Sequence, residues 1–295
     1  MKVTPLYLNA LGRSGTTLLM RVMGAFDNVA FVDTFPYEVR IASFLACAYK
    51  VLTGESGNED PWAFERDADN NLLSAFPYLG DEVARRWYLD EHKPLIRSAL
   101  KASLEALAIK LVRRKGYLGE DVWWVEKFPH NHEAEIANIF GPFDLLTIIR
   151  NPMEVARSQL RLDLDGNHPL WKRQTSFADI GDTVNLIVKK TNGLLTAAES
   201  FGRRNKSSRS IIVRYEEFEN NSTYLVNALL KAFPFRQSQE RLASLAEDLE
   251  ILAKKHRSES FAKENFGSDT AIDADHIREL MSEESLGLMK KLGYD

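Results

Sequence analysis

Nearly continuous apolar runs alternate with helix-like patterns along the chain. Runs of this kind are typical of strands that carry helices on both faces of a sheet, and the first, fourth and fifth runs show it most clearly. The predicted strands are residues 3–11, 28–33, 121–126, 144–149 and 210–215.

Helical patterns separate these strands and continue beyond the last one. They cover roughly residues 16–26, 36–53, 82–115, 152–162, 181–204, 222–233, 237–262 and 273–292. Alternation of strand and helix predicts an α/β fold with right-handed crossovers. We expect a central, mostly parallel five-stranded sheet flanked by helices.

The chain of 295 residues is long enough for one large domain. Residues 1–50 and 118–235 form its predicted core, with a helical insertion at about 51–117 and further helices at about 236–295. The insertion carries scattered aromatic residues. It is predicted either to cap a substrate beside the sheet or only to enlarge the core.

Composition narrows the class of partner. The net charge of −4 gives no basic excess for nucleic-acid binding. Cys47 is the single cysteine, so an intrachain disulfide and a multi-cysteine metal site are excluded. The sequence shows no signal-peptide pattern and no apolar run near about 18 residues. We therefore expect a cytoplasmic protein without a membrane partner; the oligomeric state is not readable.

The loop after the first strand is the main candidate for chemistry. Arg13-Ser14-Gly15-Thr16-Thr17 joins the strand to a helix. Such a turn aims backbone N–H groups and the positive end of the helix dipole at one point, where an anion such as phosphate binds. Arg13 and the hydroxyl groups add further donors. The alternative is an ordinary strand–turn–helix corner with a surface arginine.

This loop differs from the loop that binds nucleoside triphosphates. That loop requires a glycine five positions before its second glycine and a lysine directly after it. If Gly15 is the second glycine, these positions hold Ala10 and Thr16. The positive charge lies instead at Arg13, which argues against transfer of a phosphate from ATP.

A second anion site is predicted at the end of the fourth strand. Arg150 follows that strand, Asn151 is a good helix cap, and Pro152 suits the first helical position. Ligands bind at the carboxyl ends of strands in open α/β sheets. Arg150 and Ser158, about two helical turns later, are therefore candidates to hold a phosphate. The alternative is an arginine paired with a nearby carboxylate.

Residues 6–23 and 144–160 together resemble the sulfotransferases that use 3′-phosphoadenosine 5′-phosphosulfate (PAPS). In this family an R-S-G-T-T-type loop, here Arg13 to Thr17, binds the 5′-phosphosulfate, and Arg150 with Ser158 matches the pair that binds the 3′-phosphate. The segment at Lys127 resembles the family's K-x-P segment, and Tyr215 its strand end near the nucleotide. The arginine loop looks closer to the bacterial and protein-tyrosine branches than to the cytosolic aryl branch.

The resemblance implies a P-loop-like enzyme that moves a sulfuryl group from PAPS to a hydroxyl-bearing acceptor, leaves 3′,5′-adenosine bisphosphate, and requires no metal. Arg13, Lys127, Thr16 and Thr17 are then expected to stabilise the leaving phosphate and the sulfuryl group. Asp33 ranks first as general base, before Glu38 and His130. The alternatives are an ATP-dependent kinase and a non-catalytic nucleotide-binding protein on the same fold.

Overall fold

A computed structural model describes residues 1–34, 37, 39–53, 86–127, 133–165, 180–205, 207–237 and 274–294. Across these residues the chain alternates strand and helix as the apolar pattern predicts. The strands are β1 (Lys2–Asn9), β2 (Val29–Ala30), β3 (Asp121–Lys127), β4 (Asp144–Ile149) and β5 (Ser210–Arg214).

The helices follow the strands in an order typical of α/β proteins. They are α1 (Thr16–Gly24), α2 (Ile41–Leu52), a π-helical turn (Tyr88–His92), α3 (Lys93–Arg114), α4 (Glu133–Phe140), α5 (Pro152–Asp165), α6 (Ile180–Arg204), α7 (Tyr215–Asn220), α8 (Ser222–Ala232), α9 (Ala274–Glu279) and α10 (Glu283–Leu292).

The strands form one parallel sheet in the order β2-β3-β1-β4-β5, which confirms the predicted α/β class. In β4 every residue is buried, as expected for a strand covered on both faces. Its register places Leu145 opposite Ser210 and Ile149 opposite Arg214. The carboxyl ends of β4 and β5 therefore lie side by side, and this places the residues that follow them together.

The second strand is shorter than predicted. Only Val29 and Ala30 pair with β3, whereas the apolar pattern predicted a strand over 28–33. Just beyond this pair, the Thr34 N–H donates to the carbonyl of Val32 over 2.9 Å. This hydrogen bond closes a three-residue γ-turn with Asp33 in its centre. Asp33 consequently lies in the turn and is exposed, instead of closing a strand.

Three other elements differ from the predictions. The pattern at 273–292 forms two helices, because Ser282 caps α10 by accepting a hydrogen bond from the Ser285 N–H over 3.2 Å. Helix α4 was not predicted. Tyr215, predicted as the last residue of a strand, is the first residue of α7. The predicted helix at 237–262 falls almost entirely outside the described residues.

The chain divides into two compact units. The first consists of Met1–Tyr7 and Asn28–Phe143. Its core includes the fully buried Trp124 on β3, and the Tyr7 ring meets the Phe143 ring edge-on at 5.2 Å between centroids. The prediction of a single domain over residues 1–295 stays a prediction.

The second unit consists of Leu8–Asp27 and Asp144–Asp295. Within it, α5, α6, α9 and α10 share an apolar cluster that includes Val155, Val188 and Met289, with Leu11 and Tyr294 packed against it. Among the described helices, none is long and apolar enough to cross a membrane.

Candidate phosphate-binding site

The loop between β1 and α1 has an unusual backbone at two residues. Gly15 precedes the helix with φ 84°, a left-handed conformation that suits glycine because it has no Cβ. Arg13 also lies in the left-handed region, with φ 69°. Non-glycine residues seldom adopt this conformation, and such strain is concentrated at functional sites.

The start of α1 has no side-chain cap. The Leu19 N–H donates to the carbonyl of Gly15 over 3.1 Å, which closes the first turn. No acidic residue lies in this turn. The N–H groups of a helix start that its own side chains leave uncapped favour a negative ligand. Thr16 and Thr17 are half-buried at this start, and Ser14 is buried beside it.

The two predicted anion motifs meet directly in the second unit. Arg13 Nε donates to Ser158 Oγ over 3.0 Å. Arg150 Nη1 donates to the backbone carbonyl of Arg13 over 2.9 Å. Both arginines and the serine are half-buried. The loop after β1 and the start of α5 therefore form a single polar site with two guanidinium groups.

The site brings the positive charges of Arg13 and Arg150 together. Burial lowers the pKa of Arg13, and the positive charge of Arg150 lowers it further. Neither guanidinium forms an ion pair with a carboxylate among the described residues. Arginines keep their charge in proteins, so two of them this close repel each other. A bound dianion would remove that repulsion.

Arg150 is held from several sides. Asn151 caps α5 by accepting a hydrogen bond from the Met153 N–H over 2.9 Å, as its sequence predicts. The Arg150 guanidinium lies over the ring of Tyr215, 4.2 Å from the centroid. Tyr215 was predicted to contact a nucleotide; in this structure its buried ring supports Arg150.

Residues outside the predicted set complete the surroundings of Arg150. Glu216 accepts a hydrogen bond from the Asn151 N–H over 2.6 Å and another from the Tyr294 hydroxyl over 3.0 Å. Glu216 directly follows Tyr215, so its position near the site could have been predicted from the sequence. Tyr294 lies 78 residues further along the chain and gives no sequence signal.

The predicted catalytic lysine belongs to the first unit. Lys127 is half-buried at the carboxyl end of β3. The residue before it, Glu126, is only 2% exposed and accepts four hydrogen bonds, two on each carboxylate oxygen. The donors are the N–H groups of Ala42 and Ser43, the Ser43 hydroxyl and the Trp124 indole N–H, at 2.8–3.0 Å.

Glu126 therefore caps the start of α2 from a neighbouring strand. Burial raises the pKa of this carboxyl, and the hydrogen bonds from Trp124, Ala42 and Ser43 offset part of that increase. Because the carboxylate is enclosed by donors, its role is to fasten α2 to β3. This contact fixes the strand end that carries Lys127.

The general-base candidates are not brought together by the described structure. Asp33 is exposed in the turn after β2. Glu38 and His130 lie outside the described residues, as do most aromatic residues of the predicted insertion. Across the part of the chain that the structure describes, no group of three histidine, cysteine or acidic residues is arranged to hold a metal ion.

The family assignment comes from the sequence comparison. The profile of the Sulfotransferase family matches residues 5–237, which include both anion motifs and Lys127. The chain therefore belongs to the sulfotransferase family, as its motifs predicted. No curated protein matches the chain.

Solved structures of low identity resemble the chain. The sulfotransferase domain from the curacin biosynthetic pathway has a TM-score of 0.47 and 14% identity, covering 100% of this chain and 99% of the other. Retinol dehydratase in complex with androsterone and the inactive cofactor PAP has a TM-score of 0.43 and 13% identity, covering 99% and 80%. A sulfotransferase from Alicyclobacillus acidocaldarius has a TM-score of 0.40 and 15% identity, covering 86% and 96%.

Proposed function

We propose that the protein is a PAPS-dependent sulfotransferase that transfers a sulfuryl group to a hydroxyl of its acceptor. The observation that carries the proposal is that Arg13 contacts Ser158 while Arg150 contacts the Arg13 carbonyl. Neither guanidinium forms an ion pair with a carboxylate among the described residues. A ligand with phosphates at both its 5′ and 3′ positions supplies the missing negative charge. One such ligand explains the pair better than two unrelated anions do.

Each residue of the site has a proposed role toward that ligand. The loop from Arg13 to Thr17, at the start of α1, binds the 5′-phosphate through backbone N–H groups and hydroxyls. Arg150 and Ser158 bind the 3′-phosphate. Arg13 Nε donates to Ser158 in the described conformation, so Arg13 is placed to serve both ends of the site.

PAPS supplies an activated sulfuryl group, so the protein's task is to stabilise charge and remove a proton. In this reaction the acceptor oxygen forms a bond to sulfur, and the bond between sulfur and the 5′-phosphate oxygen breaks. Lys127 is proposed to stabilise the charge that develops on the sulfuryl group and the leaving oxygen. The acceptor proton passes to a general base, for which Asp33 is proposed first, then Glu38 and His130.

A ligand panel tests the proposal. We expect 3′,5′-adenosine bisphosphate, without metal, to raise the melting temperature of the protein and to bind more tightly than adenosine 5′-phosphate. ATP with Mg²⁺ is expected to have little effect, because the lysine of nucleoside-triphosphate loops is missing. Stronger stabilisation by ATP with Mg²⁺ would instead support a kinase.

Turnover separates an enzyme from a nucleotide-binding protein. Transfer of labelled sulfate from PAPS to a panel of phenols, alcohols, sugars and tyrosine peptides should yield a labelled product without added metal. Lys127→Ala is expected to lower kcat by about a hundredfold or more while leaving the bisphosphate Kd within about threefold. Lys110→Ala, at an exposed position on α3, is the matched control.

If no acceptor is labelled although the bisphosphate binds, the non-catalytic alternative is favoured. If Lys127→Ala weakens binding as much as turnover, Lys127 is a binding residue. The cytoplasmic location stays a prediction.

A further inference from the structure

The pairing of β4 with β5 brings Tyr215 to Arg150. In the register of these parallel strands Ile149 lies opposite Arg214, and each is the last residue of its strand. The residues that follow them are Arg150 and Tyr215. Cζ of Arg150 lies over the Tyr215 ring, 4.2 Å from the ring centroid. The contact therefore follows from the sheet register, which fixes where each of the two side chains begins.

The Tyr215 ring is itself held in place. Tyr215 is the first residue of α7 and is only 8% exposed. Glu216, the next residue, accepts a hydrogen bond from the Asn151 N–H over 2.6 Å, and this bond joins the start of α7 to the start of α5. Side chains in a packed interior occupy defined positions. The buried ring can therefore define the position of a longer and more flexible side chain.

Arg150 lies close to a second positive charge. The charge of Arg150 lowers the pKa of Arg13, which shows that the two guanidinium groups act on each other. Arg150 forms no ion pair with a carboxylate among the described residues. Repulsion moves a long side chain away unless an attractive group holds it. The face of an aromatic ring is such a group, because its quadrupole attracts a cation.

A ring holds an arginine differently from a carboxylate. A carboxylate accepts the N–H groups and neutralises the charge, so a phosphate has to compete with it. A ring attracts the cation through its negative face and offers the N–H groups no oxygen lone pair. The carbonyl of Arg13 accepts from Nη1 of Arg150 over 2.9 Å, and a guanidinium has several further N–H donors. The ring therefore fixes Arg150 without using the donors that bind phosphate.

We propose that Tyr215 is a positioning residue for the 3′-phosphate: its ring holds the Arg150 guanidinium at the phosphate-binding site without neutralising it, and so sets the preference for nucleotides that carry a 3′-phosphate. This inference rests on the proposed function, in which Arg150 binds that phosphate. The ring has a different role from the nucleotide contact expected from the sequence, because it acts through Arg150. The Tyr215 hydroxyl takes no part in this role.

Affinity for two ligands that differ only in the 3′-phosphate tests the role of the ring. The dissociation constants of 3′,5′-adenosine bisphosphate and adenosine 5′-phosphate are measured for the wild type, Tyr215→Leu and Tyr215→Phe, and their ratio gives the preference. We expect Tyr215→Leu, which removes the aromatic face, to reduce the preference about tenfold. Tyr215→Phe keeps that face and is expected to retain the preference within about twofold. If Tyr215→Phe is as weak as Tyr215→Leu, the hydroxyl matters instead of the ring and the proposal is wrong.

Two further variants separate positioning from a loss of packing. Phe233→Leu is the matched control, because Phe233 is also buried in the second unit and its ring stacks on that of Phe235 at 5.2 Å between centroids. It should lower the melting temperature without changing the preference. Tyr215→Met is a second non-aromatic replacement, which is used if Tyr215→Leu does not fold. An equal reduction of the preference at both positions would attribute the effect to packing and would overturn the proposal.

A double-mutant cycle shows whether the ring acts through Arg150. In the Arg150→Ala background the group that the ring positions is absent. Adding Tyr215→Leu to this background should therefore change the preference by less than about twofold. A further reduction of about tenfold would mean that the ring contacts the nucleotide directly, and the positioning role would be refuted.

The proposed function and this inference fail in different ways. If the wild type does not prefer the bisphosphate to adenosine 5′-phosphate, the proposed function fails. If the wild type prefers it and Tyr215→Leu shows the same preference, the proposed function stands and the role of Tyr215 is refuted.

Discussion

The starts of α1 and α2 both expose backbone N–H groups, but different side chains lie beside them. At α2, the buried carboxylate of Glu126 accepts the N–H groups of Ala42 and Ser43. At α1, no side chain caps the helix, and two positively charged groups, Arg13 and Arg150, interact in the loop before it. The start of α2 is capped by a carboxylate of the protein itself, whereas two arginines lie near the start of α1.

This difference separates structure from function. The buried Glu126 carboxylate accepts four hydrogen bonds, and its removal leaves the buried donors without acceptors. Two arginines that meet without a carboxylate are costly in the ligand-free protein, because each repels the other. The first arrangement stabilises the fold. The second places two positive charges together, and an anionic ligand would neutralise them; this is the physical basis of the proposed function.

Removal of the Glu126 carboxylate should give the largest effect. Glu126→Ala leaves the Ala42, Ser43 and Trp124 donors buried without acceptors, so we expect the free energy of unfolding to fall by about 3 kcal/mol. Urea denaturation measures this loss. Glu105→Ala, on an exposed ion pair of α3, is the control and should change stability by less than about 0.5 kcal/mol. An equal loss of stability in both variants would mean that the buried Glu126 carboxylate matters no more to the fold than an exposed ion pair.

Removal of the Arg150 guanidinium should mainly affect binding. Arg150→Ala is expected to weaken 3′,5′-adenosine bisphosphate binding about a hundredfold, because a charge-assisted contact to a phosphate is lost. Relief of the repulsion with Arg13 should leave the melting temperature unchanged or higher. Isothermal titration calorimetry and a thermal melt measure the two quantities.

The control for Arg150 is Arg209→Ala at the other end of the same strand pair. Arg209 forms an ion pair with Asp144 at 3.4 Å and lies at the start of β5. We expect its bisphosphate affinity to match that of the wild type. Comparable weakening in both variants would mean that net charge, and not a specific site, determines binding.

Removal of the Ser158 hydroxyl should have a smaller effect. Ser158→Ala deletes the acceptor of Arg13 Nε and one proposed donor to the ligand, so we expect bisphosphate affinity to fall about fivefold. Ser103→Ala deletes a hydroxyl that donates to the Ala99 carbonyl at an exposed position of α3, and it should leave the affinity unchanged. No measurable loss in Ser158→Ala would place the 3′-phosphate away from the start of α5.

The smallest effect concerns pH. The pKa of Tyr294 is raised on folding, so its contribution to stability is complete below the ordinary tyrosine pKa of about 10 and is lost above it. Between pH 9 and 11, we expect the wild type to lose about 0.5 kcal/mol more stability than Tyr294→Phe; the partial exposure of the ring keeps this figure small. Parallel curves for the two proteins would contradict this coupling.

The sequence predicts the local elements whose determining residues lie close together in the chain. The loop from Arg13 to Thr17 carries its glycine, and the start of α5 carries its cap, next to the apolar runs before them, and the structure confirms both elements. The length of β2 was predicted wrongly because an apolar run does not reveal the turn at Val32 and Thr34 that ends it.

Contacts between distant residues could not be predicted in the same way. The bond from Tyr294 to Glu216 joins residues 78 positions apart, and the Glu126 cap joins β3 to a helix start 83 and 84 positions earlier. Periodicity carries no information about such pairs. The general base stays a prediction for a related reason, because it depends on where an acceptor would lie against Asp33, Glu38 or His130.

The short β2 has a consequence for the behaviour of the protein at high concentration. Among the strands that the structure describes, β2 lies at one edge of the sheet and consists of Val29 and Ala30. A long, flat edge strand offers a row of backbone groups on which a strand of another molecule can assemble. Two residues followed directly by a turn offer almost no such template. Because the turn at Asp33 ends β2 so early, we expect this edge to be a poor site for aggregation.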